Sequence, residues 1–159
     1  MQTQIVELSG RHRLIEELLR ADLEVSIPIR DRGIDLIAYA DLDSQVKSFV
    51  GCPIQMKAAS SASFSLNTKY LRFPNLILAY VWYLNDSSRT VTFAMTYSEA
   101  LEIAKTKILK KTDWTTTPSW KRDGYTTTAP SKTIRDLLEP YRMTSEKWWK
   151  KVTSLEQAI

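Results

Sequence analysis

The chain has 159 residues, 43% hydrophobic and 25% charged, with a net charge of +4, which suits one ordinary domain with a real core and excludes a second large catalytic domain or disorder throughout. One His and one Cys cannot build a zinc cluster, a structural disulfide or a paired-cysteine redox site, and the glycines at 10, 33, 51 and 124 lie too far apart for a P-loop or a dinucleotide fingerprint. Residues 1–100 carry 10 Lys/Arg against 11 Asp/Glu, whereas residues 101–159 carry 12 against 7, so the basic excess is C-terminal, of a size that would help to neutralise a phosphate backbone.

The opening MQTQIVELSG lacks the basic-then-apolar layout of a signal peptide, and the longest apolar run, Leu76 to Leu84, is half a membrane span. The expectation is a soluble, cytoplasmic protein with no membrane association. Ser9 is placed to cap a helix over roughly 10–22, with Leu14, Ile15, Leu18 and Leu19 on one stripe. Leu23 to Ile27 alternates and stops at Pro28, the pattern of a short strand with one buried face. Arg30 to Gly33 reads as a turn. Ile34 to Ala40 and Phe49 to Ala58 are two β-type runs joined by a polar segment, and they should pair as a hairpin. Ala59 to Thr68, rich in serine, reads as a loop.

Leu76 to Leu84 is apolar on both parities, as a strand covered on both faces must be. Asn85 to Ser88 turns the chain and Thr90 to Tyr97 returns it. Ser98 is expected to cap a helix to about Lys107, with Ala100, Leu101, Ala104 and Ile108 inward. Trp114 to Thr128, around Arg122-Asp123-Gly124, reads as a β-hairpin arm. Helices are expected over Lys132 to Leu138 and Glu146 to Leu155, separated by Pro140. The order gives an α/β or α+β sheet with helices against it.

One constellation carries chemistry. Asp35 stands where a turn becomes a strand, and the next strand carries Gln55-Met56-Lys57. Alternation sends Gln55 and Lys57 to one face and Ile54, Met56 and Ala58 to the other. The hairpin can bring Asp35 beside the first face, so a carboxylate, an amide and an ammonium converge within an apolar sheet. Burying such groups is costly unless they satisfy each other or an ion. A strand with Gln and Lys on a solvated face is the plain alternative.

Gly33-Ile34-Asp35-Leu36-Ile37 followed by Ile54-Gln55-Met56-Lys57 resembles the core of the PD-(D/E)XK nuclease superfamily, and within it the bacterial group I intron homing endonuclease with the restriction-enzyme fold. The resemblance spans about residues 7–108. It implies a restriction-endonuclease-like mixed central sheet flanked by helices, with residues 1–108 as nuclease core and 109–159 as a basic, aromatic C-terminal extension. It also implies a site-specific endonuclease that uses Mg²⁺ or another divalent cation to hydrolyse phosphodiester bonds.

Carried over residue by residue, Asp35 matches the metal-binding aspartate and Lys57 the lysine near the attacking water. Gln55 stands where most members have Glu or Asp, and a carboxamide lends an oxygen without charge, so the ion should be held more weakly. Met56 would contribute its backbone carbonyl. The family often has a Glu in the first turn of the opening helix; the matching position here is Arg11, a cation opposed to the helix dipole and aimed at the metal site. This form is therefore expected to be catalytically weak: either another acid serves, with Glu7 and Glu16 as candidates, or position 11 has been changed so as to inactivate the protein.

Lys69, Arg72, Lys121, Arg122 and Tyr125 are candidates for DNA contact, and packing is the expected role of Trp148 and Trp149. The sole histidine, His12, is expected on the helix surface. The expected partner is double-stranded DNA, and two-strand cleavage asks for a homo-oligomer, a dimer or a tetramer. The alternative from another class is a non-catalytic nucleic-acid-binding protein on the same fold.

Overall fold

In a computed structural model, which describes residues 2–30, 32–43, 46–106 and 118–154, the chain opens with helix α1 at Thr3–Leu19, burying Val6, Gly10, Leu14 and Leu18 at intervals of one turn. It starts earlier than the Ser9 signal predicts, and its N-cap Gln2 makes no side-chain cap bond. Tertiary burial of Val6 and Gly10 stands in for the missing cap. Gly10 lies inside the helix for a steric reason: a Cβ there would come 2.6 Å from the Cβ of Ala58, so only glycine lets α1 lie this close to the sheet.

The strands β1 at Leu23–Ser26, β2 at Leu36–Ala40 and β3 at Cys52–Ala58 follow. β2 and β3 pair antiparallel, as the hairpin pattern predicts, with Leu36 opposite Ile54. The serine-rich stretch is not all loop, because Phe64–Leu66 forms β4 and a 3-10 turn follows at Thr68–Arg72. β5 at Ile77–Trp82 is buried at all six positions. It runs parallel to β3 and antiparallel to β6 at Val91–Thr96.

Helix α2 at Tyr97–Lys105 is capped by Thr96 rather than Ser98; Thr96 and Glu99 form a reciprocal capping box. Its inward residues are Ala100, Ile103 and Ala104, with Leu101 half-buried; Ile108 and Trp114 lie outside the described residues. The expected hairpin arm is instead a short helix, α3 at Pro118–Asp123, and a strand, β7 at Tyr125–Thr127, which pairs with β4. The pairing partner lies some sixty residues upstream, and no local turn signal reports such a contact. Helices α4 at Lys132–Leu138 and α5 at Ser145–Thr153 complete the described chain.

The result is a mixed five-stranded sheet, order β1-β2-β3-β5-β6, flanked by helices, with β4 and β7 as a separate ribbon. On one face α1 and α5 cover Leu36, Ile54 and Met56, with Leu14, Leu18, Trp148 and Val152 between them. On the other face Tyr80, Trp82, Phe93 and Met95 pack with Phe64, Ile103, Ile134 and Leu138. Glu17 ties the first layer together: its carboxylate accepts from Arg13 Nε at 2.9 Å, Thr92 Oγ1 at 2.9 Å and Trp148 Nε1 at 3.3 Å. Trp148 thus packs in the core, while Trp149 is half-buried. Among the described residues no helix is long and apolar enough to cross a membrane.

Candidate active site

The sheet is interrupted where β2 meets β3. Asp35 N donates to the Ile54 carbonyl at 2.9 Å and is the last such contact before the chain turns away at Gly33, whose φ of 97° favours glycine. Beyond Ile54 the β2 side of β3 has no strand partner in the register. The Met56 N–H, which would otherwise need one, donates to Asp35 Oδ2 at 2.7 Å. A fork is therefore built into the ladder, and a carboxylate closes it.

Gln55 Nε2 donates to the same Asp35 Oδ2 at 2.5 Å and to the Met56 carbonyl at 3.1 Å. Asp35 and Gln55 are both more than nine-tenths buried. Lys57, on the same face of β3 as Gln55, donates to Tyr70 Oη at 3.3 Å and lies 5.4 Å from the centre of that ring. Asp35, Gln55, Met56 and Lys57 all line one open cleft of about 340 Å³, together with Glu7, Ser63 and Ser65. Ile54 and Met56 meanwhile sit in the opposite core layer, as alternation along β3 requires.

Arg11 reaches this cluster from α1. Its Nη2 lies 3.7 Å from Asp35 Oδ1 and 3.5 Å from Glu7 Oε1, and its buried Nε has no hydrogen-bond partner. An N–H group buried without an acceptor is destabilising by about 1–3 kcal/mol, so Arg11 is a poor fit to the place it fills. It does not stand in the first turn: α1 begins at Thr3, so the expected clash with the positive helix end does not arise, and its effect at the site is through direct charge on Asp35.

Of the two carboxylates expected as replacement acids, only Glu7 lines the cleft. Glu16 is exposed and pairs with Arg20 at 2.8 Å on another side of α1. His12 is exposed on α1.

The residues expected to contact DNA separate into two groups. Lys69 and Arg72 are exposed on the 3-10 turn beside the fork, and both line a second cleft that includes Gly33 and Tyr70. Lys121 is exposed at the end of α3, and its carbonyl accepts from Thr68 Oγ1 at 3.2 Å. Arg122 is engaged by its neighbour Asp123: Nε donates to both carboxylate oxygens, at 3.0 and 2.8 Å, and Nη2 lies 2.8 Å from one of them; this pairing raises the Arg122 pKa and lowers that of Asp123. Tyr125 is half-buried in β7 with its ring 6.2 Å from that of Phe64, and burial raises its pKa. It stands in the ribbon of β4 and β7 and not at the tip of an arm.

Sequence reasoning did not find Tyr70. Nothing in a polar stretch between strands signals that a 3-10 turn will swing its ring under Lys57; the single cue is that Tyr70 is the one aromatic between Phe64 and Phe73.

For a hard divalent cation the donor set is Asp35 and the Met56 carbonyl, joined by the carboxamide oxygen of Gln55 once its amide turns over, since Nε2 occupies the point between them. Asp35 Oδ2 and Met56 O accept from one and the same nitrogen, so both oxygens are directed at a common point, and in position they fit one ion. The charge is less favourable, because Arg11 offsets the Asp35 carboxylate. Among the described residues no group of three His, Cys, Asp or Glu side chains stands ready to hold a metal. A scan against protein-family models and searches of curated proteins and of solved structures return no match to this chain. The functional reading therefore rests on the chemistry of the fork.

Proposed function

We propose that the chain is a metal-dependent DNA endonuclease of the restriction-endonuclease-like fold, with the fork between β2 and β3 as its active site and Arg11 holding this form at low activity. The observation that carries the reading is the convergence of Asp35 Oδ2 and the Met56 carbonyl on one point beside Lys57, in an open cleft. Asp35, Met56 and Gln55 would hold a cation such as Mg²⁺, which supplies a polarised phosphate oxygen and an acidified water. Lys57, steadied by its hydrogen bond to Tyr70, faces the cleft where its ammonium can orient that water and offset charge on the reacting phosphate. Double-stranded DNA is the substrate, and a homo-oligomer supplies one fork per strand.

A supercoiled-plasmid nicking assay in Mg²⁺ tests the reading. Arg11→Glu should nick at least tenfold faster than the parent chain, and adding Asp35→Ala or Lys57→Ala should abolish the gain. Nicking that survives both second changes would remove the fork from the reaction. The Arg11–Asp35 contact favours one rival, a nucleic-acid-binding protein on the same fold that no longer cuts. That rival predicts DNA binding with no nicking in Arg11→Glu.

A further inference from the structure

Most cations on the surface helices of this protein already have partners. Arg20 pairs with Glu16, Lys105 with Glu102, Lys132 with Asp136, Arg142 with Glu139 and Lys150 with Glu146, all within one helical turn. Around the mouth of a second cleft, beside the fork, the pattern changes. This cleft, of about 290 Å³, is lined among others by Arg32, Gly33, Lys69, Tyr70, Arg72 and Phe73. It has three cations and no acid among its described lining residues, and none of the three forms an ion pair with a described carboxylate.

Two of the three are held by rings instead. Lys69 Nζ lies 4.9 Å from the centre of the Tyr70 ring, and the Arg72 guanidinium 5.7 Å from that of Phe73. An aromatic face restrains a long cationic side chain without neutralising it, whereas a carboxylate would cancel the charge that a ligand needs. Phe73 is itself half exposed at 52%, which leaves an apolar surface beside the cations. Cations over a small apolar floor suit a sugar-phosphate unit, with phosphate at the charges and sugar against the ring.

Two residues join this cleft to the fork. Tyr70 lines it and receives the hydrogen bond from Lys57. Gly33 lines it and carries no side chain toward Gln55, whose Oε1 would lie 3.8 Å from a Cβ at that position. A strand lying in the fork is therefore one wall away from Arg32, Lys69 and Arg72.

We infer that this cleft is a phosphate-binding subsite that grips the duplex DNA backbone next to the stretch lying in the fork, through Arg32, Lys69 and Arg72. The inference rests on the endonuclease reading for its ligand, but not on catalysis, because the three cations need no metal. Contacts of this type fix register on the duplex and read no sequence.

The test is the binding of a fluorescein-labelled duplex of arbitrary sequence, followed by anisotropy in EDTA over a salt series. The slope of log K against log salt should flatten by about 0.9 for each cation removed. Arg32→Ala, Lys69→Ala and Arg72→Ala should each act alone, and the triple variant should lose close to three times that slope. Lys132→Ala, an equal charge loss at a paired site on α4, should leave the slope unchanged; circular dichroism would verify that every variant is folded.

A triple variant with the parent slope overturns the subsite and leaves the nuclease reading standing. Flattened slopes together with no nicking by Arg11→Glu would retain the subsite and overturn the nuclease reading. Absence of salt-dependent binding to DNA by the parent chain would overturn both.

Discussion

β5 and the forked half of β3 are neighbours in one sheet and make opposite use of it. β5 has a strand on each side and all six residues buried, so its backbone groups are satisfied by ladder bonds and its side chains by packing. β3 is paired in two halves: Cys52 to Ile54 lie against β2 and Ile54 to Ala58 against β5, so beyond Ile54 its β2 side has no strand. From Gln55 to Lys57 the missing strand is replaced by side chains: Asp35 takes the Met56 N–H, and Gln55 bridges Asp35 and the Met56 carbonyl. A complete ladder gives stability and no chemistry. An interrupted one leaves polar groups that must find partners, and those partners are where an ion or a substrate can be exchanged in.

The contrast can be broken from either side. In the packed region the largest effect should come from Trp148→Ala, which empties the layer between α5 and the sheet and strips a donor from Glu17. A loss of about 3–5 kcal/mol is expected from urea denaturation. Gly10→Ala pushes a methyl into Ala58 and should lose about 1–3 kcal/mol by overpacking; unchanged stability would contradict the close approach of α1 to β3. Thr96→Ala removes one half of the α2 capping box and should lose about 1 kcal/mol.

At the fork the sign should reverse. Arg11→Met removes a buried N–H that has no acceptor, and by the same denaturation measurement should be neutral or stabilising by up to about 1 kcal/mol, where a truncation in the packed region always loses stability.

A smaller effect separates the two halves of β3 by pH. Cys52 opens the paired half; burial pushes its thiol up to about 12, with Lys151 opposing. An unfolded thiol ionises near pH ~8.5. Because the folded value is the higher one, the unfolded chain loses its proton first, so the stability it contributes is intact below that pH and falls away as pH rises toward about 12. Denaturation at rising alkaline pH should show this decline, and Cys52→Ala should flatten it. Consistent with burial, a thiol reagent at neutral pH should modify Cys52 only in denaturant.

How much of this was legible in the residues depends on the range of the contact. The two-parity apolar run at Leu76 to Leu84 marks a central strand because no other element can bury both faces, and alternation alone puts Gln55 and Lys57 on the face opposite Met56. The α2 helix was legible to within a residue or two, since its cap is local. The start of α1 was not: Ser9-Gly10 looks like a helix beginning, but Gly10 is there for a contact with Ala58, nearly fifty residues away. That misreading also misplaced Arg11, whose role follows from the Asp35 contact and not from the helix dipole. The β4 and β7 ribbon escapes notice because each strand has three residues, too few for a period to register. Tyr70 escapes for the same reason, as a tertiary neighbour of Lys57 carried on an irregular segment.

The proposal that the fork is a cation site restrained by Arg11 is tested most directly by titrating Mn²⁺ into Arg11→Glu and Arg11→Glu/Asp35→Ala, with calorimetry as the readout. The account predicts one saturable site in the first variant, tighter than in the parent chain, and its loss in the second. Equal binding by both variants, or none by either, would contradict it.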